Sequence, residues 1–315
     1  MTSNVPEISV LLPTYNGART IHRAITSILQ QSLQEWELVI VDDGSTDDTL
    51  KIISSFRDDR IRTIQHEQNR GLVQALRTGS KFCSAPLIAR QDQDDVSLRH
   101  RLFIQTNFLK LHPKIAIVGT WADVVNYSTK DEVRVVKRLR HPKHHGDIRW
   151  LALYNCPFVH SSIVMRRDVL ESLGGYSDTS PLTPPEDYEL WTRLLKKHIA
   201  ANIPQSLINY QQSPSGMSST LRPLIEKNSH QIALAGISEL MQRPFTALDS
   251  LFVHSMNATI SSRIKFIQSF EIDASMIKYF REMRKQQISS TYFMFIKSII
   301  RNHLVFFRFL VLRTK

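Results

Sequence analysis

Apolar residues in the first third of the chain fall into short runs that alternate with segments of helical spacing. Ile8 to Leu12 is a β-branched apolar run halted by Pro13, and Ala18 to Leu29 then carries apolar residues at the helical period. Glu37 to Val41 is a second strand, ending in the polar loop Asp42-Asp43-Gly44-Ser45-Thr46-Asp47, where Asp47 is placed to cap a helix over Thr49 to Phe56. The unit recurs as strand Ile61 to His66 and helix Gly71 to Phe82. It recurs again as strand Pro86 to Arg90, loop Gln91 to Asp95, helix Arg99 to Leu111 and strand Ile115 to Val118. Strands alternating with helices predict an α/β fold, a Rossmann-like, mostly parallel sheet flanked by helices. Such sheets bind ligands beyond the carboxyl ends of their strands, so the loops Pro13 to Asn16, Asp42 to Asp47 and Asp92 to Asp95 are expected to converge on a site.

From Val124 to Gly146 the pattern dissolves into polar and basic residues. His141, His144 and His145 lie there in a Lys/Arg-rich stretch with no carboxylate or thiol at ligand spacing, which disfavours a metal site. Regularity returns with Phe158 to Met165, then Gly174-Gly175-Tyr176, then Glu186-Asp187-Tyr188 opening a helix to Lys197; beyond Pro214 only helical signals remain. The expected organisation is a catalytic domain over 1–215, with halves 7–125 and 126–215, followed by a helical region over 216–315.

Charge changes this picture more than composition does. The net charge of the 315 residues is +11, but residues 274–315 hold nine Lys/Arg against Glu282, a balance of +8, which leaves 31 minus 28, or +3, for the rest. A near-neutral body with acidic strand-end loops argues against a nucleic-acid partner, and a basic tail suits an anionic surface. On a helical wheel Lys297, Arg301 and Arg308 share one side, while Ile288, Tyr292, Phe295, Ile299, Phe306 and Leu310 gather opposite. That predicts an amphipathic helix able to lie on an anionic membrane through 286–315, or else to pack on the catalytic domain. Lys297, Arg301 and Arg308 interrupt the tail's most apolar stretch, so no spanning helix is expected, and MTSNVPEISV carries no signal-peptide pattern. Cys83 and Cys156 read as buried thiols in a reducing compartment. The localisation this implies is cytoplasmic, peripheral at the inner face of the membrane.

Asp92 and Asp94 put two hard oxygen ligands on one face of an extended segment, a donor pair suited to a divalent cation that also contacts phosphates. Alone, an Asp-x-Asp equally decorates a helix N-terminus. It stands, however, with VLLPTYNG, VIVDDGSTDDT, EQNRGL, RQDQDD and PPEDYELWTRL, segments that closely resemble those of glycosyltransferase family 2, whose members have the GT-A fold. The resemblance runs from Glu7 to Tyr210. It implies an inverting transferase that moves a sugar from a nucleotide diphosphate, UDP-hexose being favoured, to a hydroxyl of a glycan or lipid-linked acceptor in cell-surface polysaccharide synthesis.

By the same resemblance Pro13, Tyr15 and Asp42 would hold the nucleotide base, the Asp42 carboxylate accepting from a uracil ring N–H, and Asn69 would shape the same pocket. Asp92 would lie near ribose and diphosphate, and Asp94, with Asp92, would ligate Mg²⁺ or Mn²⁺. Asp187 falls where the family keeps its general base, with His160, Glu186 and Trp191 as donor or acceptor contacts; for His160 and Trp191 a core role stands as the alternative. Where relatives often carry Asn after the Gly71-Leu72 turn this chain has Leu76-Arg77, and Arg77 would meet phosphate instead. Two rival readings are a nucleotidyltransferase with a similar sheet and a catalytically silent partner subunit. The Gly-rich phosphate loop of the first is absent, as is any Gly-x-Gly-x-x-Gly, and the Asp42, Asp94 and Asp187 set disfavours the second.

Overall fold

The computed structural model describes residues 5–127, 133–211, 217–241 and 244. Tail residues 286–315, and with them the amphipathic helix expected there, lie outside the described residues.

The expected βα repeat is present. Strands β1 (Ile8–Thr14), β2 (Trp36–Asp42), β3 (Ile61–Gln65) and β4 (Leu87–Arg90) run parallel in the order β3-β2-β1-β4, with helices α1 (Ile21–Leu29), α2 (Thr49–Ser55) and α3 (Leu72–Phe82) between them. β1 is buried at all seven positions, which is why it reads as a continuous apolar run. Alternation along it feeds two cores. Ile8, Val10 and Leu12 pack with Leu38 and Ile40 against Ile21, Ala24, Ile25 and Ile28 of α1, while Leu11, Val39 and Val41 face Ala75 and Leu76 of α3. Each fully buried Val, Leu or Ile among them contributes about 1.5–3 kcal/mol.

Gly79, inside α3, is explained by how closely that helix lies on the sheet. A Cβ there would clash with Leu11 Cδ1 and stand 2.7 Å from Val41 Cγ2. The helix propensity gained in Gly79→Ala, about 1 kcal/mol, is opposed by an overpacking cost of about 1–3 kcal/mol. We expect Gly79→Ala to destabilise the protein by up to about 2 kcal/mol in urea unfolding; a stabilised variant would show that the helix can lift freely.

The second half of the sheet is mixed. After β5 (Val96–Ser97) and α4 (Arg101–Leu111), β6 (Ile115–Tyr127) is flanked by β8 (Val164–Arg166), antiparallel, and β9 (Ile199–Gln211), parallel, giving the order β4-β8-β6-β9-β5. The polar stretch in which the apolar pattern dissolves holds, among its described residues, the end of β6, the strand β7 (Val133–Leu139) and the start of helix α5 (His145–Leu151). β7 pairs with β6 alone and its first six residues are exposed, so no apolar alternation marks it. Helices α6 (Arg167–Ser172), α7 (Glu186–Lys197), α8 (Met217–Thr220) and α9 (Arg222–Met241) complete the described fold. Ile232 of α9 joins the core beneath α7, and Asn228 Nδ2 donates to Pro184 O at 2.8 Å.

Candidate active site

Strand order reverses at β1, with β2 on one side and β4 on the other, and the loops after β1 and β4 face each other across that crevice. Gln93 clamps them together. Its Oε1 accepts from Thr14 Oγ1 and from Tyr15 N (3.0 Å), and its Nε2 donates to Tyr15 O at 3.3 Å. The β2 loop is tied in as well. Asn16, in the left-handed region at φ 48° that Asn tolerates, donates its N–H to Ser45 Oγ at 2.9 Å and accepts from Thr46 N at 2.9 Å. Asp47 Oδ1 accepts from Thr49 N at 3.0 Å, as expected of a cap, although the helix boundary falls at Asp48; its Oδ2 accepts from Ala18 N at 3.1 Å.

Within this frame Asp42 is buried at the end of β2, its carboxylate accepting from Ser45 Oγ and from Ser45 N at 3.3 Å. Asp43 binds His66 Nδ1 (2.6 Å), Arg70 N (3.0 Å) and Gly71 N (2.7 Å), so it folds the loop that carries Asn69. Asn69 itself accepts from Gly71 N at 3.0 Å. Tyr15, on the rim beyond Pro13, is 41% exposed, leaving its ring open to a planar ligand.

The carboxylates after β4 are held at different depths. Asp92 is only partly exposed and is paired at 2.6 Å with Arg90, whose side chain is buried. Burial, and then the charge of Asp92, push the Asp94 carboxyl up to about 7. Asp95 points inward, accepting from Ser161 Oγ and from Gln211 N at 2.8 Å, and its own burial raises it strongly. Below them Arg101, fully buried, donates to Gln91, Ser97, Gln105 and the carbonyls of Arg90 and Ile163, all neutral acceptors. It pins the strand from which the loop departs.

Two carboxylates crowded at a strand end, one of them raised by its burial and then by the other's charge, form a donor set that suits a hard divalent cation. Among the described residues no three His, Cys, Asp or Glu side chains close a metal cage, so a cation at Asp92 and Asp94 would share its coordination with phosphate and water. A proton on Asp94 competes with such a cation. Mn²⁺ binding to the protein alone should therefore weaken about tenfold from pH 8 to pH 6, measured by titration calorimetry in buffers of different ionisation enthalpy. Binding independent of pH would exclude Asp94 as a ligand.

The second acidic pair opens α7. Glu186 is buried, with Oε1 3.6 Å from His160 Nδ1, and burial and then Asp187's charge push its carboxyl up to about 7. Asp187 is half-buried, its Oδ1 accepting from Tyr188 N at 2.7 Å and its Oδ2 3.5 Å from Cys156 Sγ. Burial raises it, and among charged neighbours so does Asp92, which places the two acidic loops within each other's field. Pro185 holds the N-cap position of α7, and Asp187, in the first turn, satisfies one of the free N–H groups there through Tyr188 N.

His160 binds Tyr176 Oη at 2.8 Å and meets the Trp191 ring edge-on, and burial holds it neutral. Trp191 is completely buried, with Phe158 packed on it at 5.6 Å, so it serves as the core wall behind His160 and offers no platform at the surface. Arg77 pairs with Asp178 at 3.2 Å and donates to Tyr176 O at 2.7 Å, which replaces the expected phosphate contact. Cys83 is buried as expected, whereas Cys156 is half-buried, and both are free thiols. His145 Nδ1 accepts from Ala200 N at 3.3 Å, and burial lowers His141 to about 4.

Several residues of the site carried no signal in the sequence. Gln93 sits between the two aspartates, but its clamp appears only once β1 and β4 are neighbours. Arg90 and Arg101 looked like ordinary strand and helix charges. Tyr176 followed a conspicuous Gly174-Gly175, which was its only pointer.

Residues 9–174 match the family description "Glycosyl transferase family 2". The chain is 34% identical over 195 residues to the putative glycosyltransferase EpsE of Bacillus subtilis, covering 61% of this chain and 68% of EpsE. It is 32% identical over 205 residues to the amylovoran biosynthesis glycosyltransferase AmsE of Erwinia amylovora, covering 64% and 74%. With the UDP-Glc:α-D-GlcNAc-diphosphoundecaprenol β-1,3-glucosyltransferase WfgD of Escherichia coli it shares 28% over 214 residues, covering 67% and 79%. Among solved structures, S. aureus TarS 1–349 in complex with UDP superposes with a TM-score of 0.53 at 19% identity, over 83% of this chain and 78% of that one. The mannosyltransferase PcManGT from Pyrobaculum calidifontis, in complex with GDP-Man and Mn²⁺, gives 0.55 at 15%, over 95% and 86%. These likenesses bear out the GT-A fold expected from the sequence. With more than half of its 315 residues matched by the family, the chain belongs to glycosyltransferase family 2.

Proposed function

We propose that the protein transfers a hexose from a UDP-linked donor, with inversion, to a hydroxyl of a glycan or lipid-linked acceptor in cell-surface polysaccharide assembly. The observation that carries this reading is the position of Asp187: a half-buried carboxylate in the first turn of α7, 3.5 Å from Cys156 Sγ, with no ion-pair partner among the described residues and raised by its burial. The glucosyltransferase WfgD, with its UDP-Glc donor and diphosphoundecaprenol acceptor, supports the donor and acceptor classes.

In this mechanism Tyr15 and Asp42 seat the base, Asn69 closes the same pocket, and Asp92 lies by the ribose and diphosphate. Asp94 and Asp92 would hold Mg²⁺ or Mn²⁺, which supplies Lewis-acid neutralisation of the departing diphosphate. Asp187 takes the proton from the acceptor hydroxyl as its oxygen attacks the anomeric carbon from the face opposite the diphosphate. The bond to the diphosphate breaks with its electron pair, which leaves with UDP. A raised carboxyl is a stronger base than an ordinary one, and His160, held neutral beside the adjacent Glu186, adds no positive charge to the pair. Residues 1–215 are the unit assigned to this chemistry.

Titration calorimetry with UDP, GDP, CMP and dTDP, each with and without Mn²⁺, tests the proposal. We expect Mn²⁺-dependent binding of UDP at least tenfold tighter than of the other three. Tighter binding of GDP would move the donor to a GDP-sugar, and no nucleotide binding at all would overturn the catalytic reading.

A further inference from the structure

β7 presents an unusual surface. Its outer edge has no partner strand among the described residues, and Val133, Val135 and Val136 on it are 48%, 53% and 59% exposed. The register shift in the β6–β7 pairing falls at Val136, turning one more valine outward than a regular ladder would. Between and after the valines stand Arg134, Lys137, Arg138, Arg140 and Lys143, all exposed, with no acidic residue from 133 to 146. Arg138 is paired with Asp123 at 2.6 Å, whereas Arg134 and Lys137 have no ion-pair partner among the described residues.

Edge strands commonly carry Lys or Arg to deter pairing with another chain. Three half-exposed valines work against that purpose, so the charges are not there only to keep the edge in water. Valines beside basic side chains combine the two interactions an anionic lipid surface offers, headgroup charge and an apolar boundary. A nucleic acid would use the charges but has little use for the valines.

The surface borders the active site. Val133 pairs with Tyr127, whose ring lies 4.1 Å from the Arg23 guanidinium; Arg23 donates to Gln211 Oε1 at 2.8 Å, and Gln211 N donates to Asp95 of the metal loop.

We propose that the β7 edge docks the catalytic domain on an anionic membrane surface, holding the mouth of the active site at headgroup level, where a lipid-linked acceptor presents its sugar. This rests on the lipid-linked reading of the acceptor given above. It assigns membrane contact to the catalytic domain itself rather than to the tail.

The test uses the full chain and vesicles of phosphatidylglycerol and phosphatidylcholine in equal parts, with phosphatidylcholine alone as the comparison. The wild type binds the anionic vesicles, and Arg134→Glu/Lys137→Glu lowers its partition coefficient by about 30-fold or more. UDP affinity is unchanged in that variant, which separates failure here from failure of the donor reading. Val136→Ser, which leaves every charge in place, serves as a second variant and weakens partition about threefold. Wild-type protein that ignores anionic vesicles overturns the proposal, as does undiminished binding by both variants, which would move the contact to another surface such as 286–315. Loss of binding to an RNA fragment, with vesicle binding intact, would also overturn it.

Discussion

Asp187→Asn is expected to lower kcat by about 10³-fold while leaving the affinity for UDP within about twofold of wild type. The substitution keeps the Oδ1 that accepts from Tyr188 N and places an amide where Oδ2 faces the Cys156 thiol, so the start of α7 should not move. What is lost is the ability to take up a proton. In the wild type kcat/KM should rise with pH through the raised pKa of this carboxyl, because only its ionised form is a base, and that limb should vanish in the variant. Glu186→Gln makes the contrast. Glu186 is buried against His160 and raised to about 7, so its amide should alter the position of the limb without removing it. A variant Asp187→Asn that kept more than a tenth of wild-type kcat would move the base elsewhere.

The parts of this molecule legible in its sequence are those where one physical demand dominates. β1, β2 and β4 are buried on both faces, so their apolar runs and the polar loops that end them were visible directly, and with them Asp42, Asp92 and Asp94. β7 and β9 escaped for opposite reasons. β7 has almost no buried face to impose alternation, and β9 mixes buried and exposed positions around three register shifts in its pairing with β6, which break any steady period. At the site the carboxylates were readable by type and position, but their partners were not. Gln93, Ser161 and Gln211 act across separations of up to 116 residues, and which of the three aspartates Asp92, Asp94 and Asp95 faces solvent and which faces Ser161 is decided by backbone geometry that composition does not encode. Trp191 illustrates the same limit, since an aromatic one turn beyond a base suits an acceptor platform and a core wall equally until its burial is known.

Asp94→Asn should cost at least 10³-fold in kcat/KM and abolish the Mn²⁺ dependence of UDP binding, yet it should raise the melting temperature of the cation-free protein at pH 8 by a few degrees. Both effects have one source. Above about pH 7 the wild-type carboxyl is ionised in a poorly hydrated place beside Asp92, a charge the fold bears at a cost and that a divalent cation is suited to neutralise. Asn removes the charge and the cost together. The sign follows from linkage: a carboxyl raised in the folded state gives up stability as pH climbs from about 4 to about 7, so the gain from Asn should be small at about pH 4 and largest at pH 8. Asp92→Asn should behave in the opposite way, because it strips the buried Arg90 guanidinium of its carboxylate partner at 2.6 Å and should lower the melting temperature at both pH values. Melting curves of the two variants at the two pH values, read beside UDP calorimetry, therefore separate the aspartate that also pairs with the protein's own Arg90 from the one that would serve the metal alone. An Asp94→Asn protein destabilised at pH 8, or one that still bound UDP in a Mn²⁺-dependent way, would mean that the metal is held elsewhere.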